Sequence, residues 1–190
     1  MTATTLQTSS FTGSEPTLQV AVGRILALAG AVFGLSNLFQ YGVYSGLLNL
    51  HPAALGLSWP IAVTVFIVGL MRLRKSGGAA GKCSARWSRL GILTMIASAL
   101  ALLALSIVQR DFSLMYWMTP VGMGIYAIAW ATAAVRTRRS WMAAQAIGAA
   151  TIAGLTVTLL GTPEQYLFYA IGLFAFAFAP GVFMILSDKG

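Results

Sequence analysis

The sequence predicts an all-α integral membrane protein, with six transmembrane helices in three hairpins and both termini cytoplasmic. Three observations carry that prediction. The chain is 58% hydrophobic and 8% charged, with a mean hydropathy of +0.81. A soluble domain needs about 25% charged residues to keep its surface in water. The few charges fall in clusters, and the uncharged runs between them reach the roughly 20 residues that cross a hydrocarbon core. Finally, the clusters that join the runs are almost all basic, which is the pattern that orients membrane proteins.

Residues 1–17 are polar and rich in Ser and Thr, from Thr2 to Ser14. They lack a basic segment followed by an apolar core, so they read as a flexible tail rather than a cleaved signal peptide. Residues 18–190 read as a single transmembrane domain. No Asp, Glu, Lys or Arg occurs in residues 25–71, too long a run for one span. The turn is expected at 44–52, where Ser45, Gly46, Asn49 and Pro52 cluster, which places the first helix at about 20–44 and the second at about 53–71. A basic loop over 72–89 follows. Residues 90–109, 112–135, 140–163 and 165–187 each supply one further span. Five spans result instead if either of the first two helices is re-entrant.

The basic residues sort by side. Arg72, Arg74, Lys75, Lys82, Arg86 and Arg89 lie in one connector and Arg136, Arg138 and Arg139 in another, with Arg24 and Lys189 near the two ends. Of the 12 Lys and Arg residues, this leaves only Arg110 on the opposite side. The positive-inside rule then puts both termini and the basic connectors in the cytoplasm of a bacterial inner membrane. Trp87 and Trp141 fall at the cytoplasmic border, and Tyr41, Tyr44, Tyr116, Trp117, Tyr166 and Tyr169 near the other, where amphipathic rings favour the headgroup level. The same distribution argues against nucleic acid as the partner of a chain with net charge +8. Membrane lipids, a second copy of the chain or a larger membrane complex are the expected partners.

One cysteine, Cys83, and one histidine, His51, leave no internal disulfide, no His/Cys zinc site and no haem held by two histidines. No metal site is expected, and no cofactor is indicated. The hairpins divide at about 18–76, 85–140 and 141–188, and the first two share a spacing. His51 precedes Pro60 by nine residues, as Asp111 precedes Pro120, and RLRKS at 72–76 parallels RTRRS at 136–140. Transporters built from internal repeats hold their sites between them, although any polytopic chain alternates apolar runs with basic loops.

The residues able to carry chemistry gather at the extracytoplasmic border. His51, Asp111 and Glu164 stand there, one in each hairpin, and are the candidate acid/base groups. Asn37 and Gln40 lie a turn apart at similar depth, and Trp59, Tyr116, Trp117 and Tyr166 are at hand as candidate ligand-binding residues. The plainer reading is that Asp111 and Glu164 sit favourably at helix N-termini and that the rings are interfacial anchors. No charged residue falls at mid-span, which argues against the usual proton-coupled carrier or pump. Pro60, Pro120 and Pro180 are expected inside helices, where each removes a backbone hydrogen bond. Gly30 and Gly34 form a GxxxG, and Gly148, Ala150 and Gly154 give the fifth helix a small-residue face. The FAFAF run at 174–178 spreads phenylalanine around the sixth helix and marks no single face.

HPAALGL at 51–57 resembles the NPAPLGL element of acetate-uptake channels, which also have six helices. PEQYLF at 163–168 is similar to the PxEExLFF element of membrane lycopene cyclases, with Gln165 in place of one carboxylate. Each likeness spans six or seven residues, and neither identifies a family. The functional expectation is therefore broad. It is non-enzymatic binding or passage of a small apolar or neutral molecule, or a subunit role in a membrane complex. The alternative is a membrane enzyme acting on a lipid-like substrate from the extracytoplasmic side.

Overall fold

The computed structural model describes residues 17–51, 53–76 and 78–187, the side chains of 76–88 excepted. The polar tail short of Thr17, Pro52, Lys189 and the side chains of Lys82, Cys83, Arg86 and Trp87 lie outside the described residues. Among the described residues every regular element is helical, and six helices are long and apolar enough to cross a membrane. Six such helices fit a multi-pass membrane protein.

Helix α1 spans Leu18–Tyr44. Thr17 caps it, its hydroxyl accepting from the Val20 N–H at 3.3 Å, which satisfies one of the free donors at a helix start. The expected turn follows, with Gly46 at φ +76, a conformation that costs glycine little. Helix α2 (Ala53–Ser76) keeps Pro60 inside it as expected. It extends to Ser76, and α3 covers Gly78–Gln109, so both reach into the anticipated loop. The expected basic loop over 72–89 is thus largely helical backbone. Its Ala, Leu, Arg and Lys residues are good helix formers, and it contains no proline.

The fourth span opens as a 3₁₀ turn, Phe112–Trp117, before α4 at Met118–Thr137. Pro120 is therefore in the first turn of α4 rather than deep inside a helix. Helix α5 covers Ser140–Thr158, shorter than the expected 140–163. Gly161 at φ +82 makes the turn, and Pro163 starts α6 (Pro163–Leu173) instead of ending α5. The sixth span continues through a π-helical turn, Phe174–Phe178, into α7 (Ala179–Leu186).

That π turn has an identifiable cause. Pro180 has no N–H, so the Phe176 carbonyl four residues earlier loses its helical donor. The Ala179 N–H meanwhile reaches back to the Phe174 carbonyl, the wider spacing. Trp130 of α4 supplies what the proline removed, its indole N–H donating to the Phe176 carbonyl at 2.8 Å. FAFAF is thus a junction between helices, not an unmarked surface.

The three sequence hairpins each make contact, but the most extensive pairings run between them, α4 with α5 and α1 with α6 and α7. Arg138 at φ 53 makes the tight reversal between α4 and α5. Glycines let α1 and the sixth span touch backbone to backbone. A Cβ on Gly30 would lie 2.7 Å from the Phe178 Cβ, and one on Gly23 would lie 2.7 Å from the Gly181 carbonyl oxygen. On α5 only Gly148 of the expected small-residue face is closely packed, against the Phe176 ring, while Gly154 faces open space.

Two apolar clusters result. Met123, Ala149, Tyr169 and Leu173 form one, and Trp130, Met142 and Met184 the other. Both are built from α4, α5 and the sixth span, with α1 covering them, and among the described residues neither takes one from α2 or α3.

Candidate functional site at the aromatic end

The short turns that join α1 to α2 and α5 to α6 meet the 3₁₀ turn at one end of the bundle. The rings of Tyr44 and Tyr166 stack there, with centroids 5.2 Å apart and planes 5° apart. The Tyr116 ring lies next to Gly161, 3.7 Å from where its Cβ would stand. This end therefore carries a cluster of tyrosines contributed by three separate spans.

Beneath the rings is a buried polar lock centred on Gln165. Pro120 withdraws the donor of the Tyr116 carbonyl, four residues back. The Gln165 amide nitrogen donates to that carbonyl and to the Thr119 hydroxyl, and the hydroxyl itself donates to the Tyr116 carbonyl at 3.1 Å. On its other side Gln165 accepts from the Gly161 N–H at 3.0 Å. Gln165 is 0% exposed, so its own amide depends on these partners rather than on water, and an unsatisfied buried group is costly.

The candidate acid/base residues stand at the rim, each at a helix start. The His51 Nδ1 accepts from the Ala53 N–H at 3.2 Å, at the start of α2. Asp111 caps the 3₁₀ turn, its carboxylate accepting from the Ser113 N–H at 2.9 Å. The Ser113 hydroxyl and then its backbone N–H hold the Asp111 carboxyl below its usual range. Glu164 lies in the first turn of α6, where its charge complements the helix N-terminus. All three are exposed. Among the described residues no three His, Cys, Asp or Glu side chains converge on a possible metal position.

The candidate binding residues divide between interior and surface. Asn37 is 1% exposed and spends its amide N–H on the Phe33 carbonyl one turn back, at 2.7 Å. Gln40, also buried, donates to the Ser58 hydroxyl at 3.3 Å and so ties α1 to α2. Trp59 is partly exposed and lies against Phe33, centroids 5.7 Å apart. Trp117 is exposed at the end of the 3₁₀ turn. Tyr116 and Tyr166 are the two that the fold brings into the tyrosine cluster, together with Tyr44.

Gln165, Thr119 and Trp130 were not among the candidate site residues read from the sequence. The usable signal was the pair of prolines. Each frees a known carbonyl four residues back, and a buried polar side chain from another turn or helix must then answer it. The chain matches no protein-family model, no curated protein and no solved structure.

Proposed function

We propose that this protein binds a small neutral or apolar molecule at its tyrosine-lined end without converting it, in a bacterial inner membrane with both termini cytoplasmic. The neutrality of its buried polar groups carries this reading. Asn37, Gln40, Ser106, Thr119, Thr156 and Gln165, with the phenol of Tyr169, are the buried polar groups of the described chain, and none of them carries charge at neutral pH. An interior of amides and hydroxyls can orient a neutral ligand but offers no proton relay. At the rim, His51 and Asp111 spend acceptor positions on helix starts, which favours capping over acid/base work. The orientation follows the positive-inside rule, because the basic connectors gather at the end opposite the tyrosines. Homo-oligomers or a larger membrane complex are compatible partners.

Extraction and mass spectrometry of compounds that co-purify with the protein test this reading. Tyr44→Ala and Tyr166→Ala should each reduce the retained neutral compound several-fold, while Asp111→Asn and Glu164→Gln leave it unchanged. Loss of a chemical conversion in the two carboxylate variants, with the fold intact, would overturn the proposal in favour of a membrane enzyme.

A further inference from the structure

The opposite end of the bundle carries a groove that the tyrosine cluster does not use. Two connected hollows share Trp141 and Phe183 as walls. The outer one, of about 440 Å³, is lined by Gln19, Arg139, Trp141, Phe183 and Ser187. The inner one, of about 210 Å³, continues past Gln145, Ala175, Ala179 and Pro180. The groove therefore runs from the α4–α5 joint along the seam between α5 and the sixth span.

Its chemistry changes with depth. Arg139 supplies positive charge at the mouth, and the Gln19 amide donates to the Ser187 hydroxyl beside it at 2.9 Å. The walls below are aromatic, with Trp141 edge-on to Phe183 at 5.9 Å and to Trp130 at 5.5 Å. One turn deeper than Trp141, or about 6 Å along the helix, stands Gln145. Its Oε1 is buried and has no hydrogen-bond partner. Ala175 lines the same hollow, and its carbonyl has lost its own helical donor because the Ala179 N–H goes to Phe174. A buried amide oxygen without a partner in an apolar slot is costly unless a polar group reaches it or the amide turns to present its Nε2.

We propose that this groove holds an anionic phospholipid. A cationic mouth, an aromatic collar and an apolar slot with one amide just below the collar match the order of phosphate, glycerol esters and acyl chain. Arg139 faces the phosphate, with Gln19 and Ser187 beside it as hydrogen-bonding groups. Trp141 and Phe183 flank the glycerol and the upper chain, the position that such rings favour at a membrane border. Gln145 answers an ester oxygen, since rotation of its amide presents either donor or acceptor at the same place. Arg139 at the mouth and the Gln145 amide, its Nε2 turned toward the ester, then each meet a group of one molecule, and the charge selects anionic over zwitterionic headgroups.

The test uses the full chain, purified, stripped of lipid and exposed separately to phosphatidylglycerol and phosphatidylcholine of the same acyl chains. Native mass spectrometry then counts retained lipid. Wild type should retain phosphatidylglycerol preferentially. Arg139→Gln should lower that retention about fivefold, toward the phosphatidylcholine level. Gln145→Leu should lower retention of both lipids, because the ester loses its partner while the charge is unchanged. Arg74→Gln, on the last turn of α2 and outside the groove, should leave retention as in wild type. Equal losses in Arg74→Gln and Arg139→Gln would overturn the proposal, since they would mean a general attraction to the basic end. Full retention in Arg139→Gln, or in Gln145→Leu, would overturn it as well. Thermal melts of each variant separate lost binding from lost fold. Because the groove and the tyrosine cluster lie at opposite ends, either can fail without the other.

Discussion

The α2–α3 pair and the four-span body of α1, α4, α5 and the sixth span are built from similar residues but used in opposite ways. The α3 span is the most apolar of the chain, with mean hydropathy 2.4, yet it is 6% buried within the protein. The fourth span has mean hydropathy 1.3 and is 39% buried. In water that order would be reversed, because the most apolar helix gains most from leaving solvent. In a bilayer there is no such drive between helices, and close packing and interhelical hydrogen bonds decide which ones associate. The body has both. Gly23, Gly30 and Gly181 allow backbone contact, and Trp130 and Gln165 answer carbonyls freed by proline. In α2, Pro60 likewise frees the Gly56 carbonyl, but no side-chain hydrogen bond reaches that carbonyl among the described residues. Hydropathy puts a helix in the membrane, and glycines and polar locks determine what it packs against.

Substitutions in the two regions should therefore differ in size and even in sign. The largest effect is expected for Gly30→Leu, whose side chain would collide with the backbone of Phe178. It should cost about 3 kcal/mol or more in denaturant unfolding in detergent, or prevent folding. Gln165→Leu comes next, at about 2 kcal/mol, because it removes the acceptor of the Gly161 N–H and one donor of the Tyr116 carbonyl, which keeps the Thr119 hydroxyl. The parallel change at the α1–α2 contact, Gln40→Leu, should cost less than about 1 kcal/mol, since Ser58 keeps its bond to the Leu55 carbonyl. Equal costs for these two would break the comparison.

Trp130→Phe should cost about 1–2 kcal/mol by leaving the Phe176 carbonyl without its donor. In a Pro180→Ala background residue 180 regains an N–H, so a double-mutant cycle should show the penalty shrinking. If the penalty is unchanged, the indole does not replace the proline's missing donor. On α3, Gly91→Ala meets nothing within 4 Å and should stabilise by up to about 1 kcal/mol, read as a raised unfolding midpoint.

The smallest effect belongs to the exposed cap at Asp111. Its carboxyl is held below the ordinary value of 3.8. The stability it contributes is thus present above that value and fades as pH falls through the lowered one. Asp111→Asn should leave the midpoint at about pH 7 nearly unchanged and reduce the loss seen on acidification below about pH 4.

Much of the architecture was legible because charge and length are local properties. The turn at 45–52 announced itself through Ser45, Gly46 and Pro52, and the charge-free runs marked all six helices. The boundaries that moved did so at prolines and in the basic connector. Pro120 and Pro163 open helices rather than interrupt or end them, which depends on where the chain reverses. The described residues of 72–89 are helical because basic residues at the end of a span do not stop a helix. The rim residues His51, Asp111 and Glu164 were legible as border residues, but their hydrogen-bond partners were not. Ala150 and Gly154 looked equal to Gly148, yet only Gly148 meets a Phe176 ring, and no linear pattern distinguishes them.

What the sequence determined by itself was the solvent. Uncharged runs of this length cannot satisfy their backbone amides in a bilayer except as helices, so the six spans follow from composition and spacing. What only the tertiary structure decided was the pairing: which carbonyl freed by proline meets which side chain, and which glycine meets which backbone. The physical reason is range. Burial in lipid is read from one segment at a time, whereas a lock such as Gln165 on Tyr116, or Trp130 on Phe176, joins residues that become neighbours only after the helices have packed.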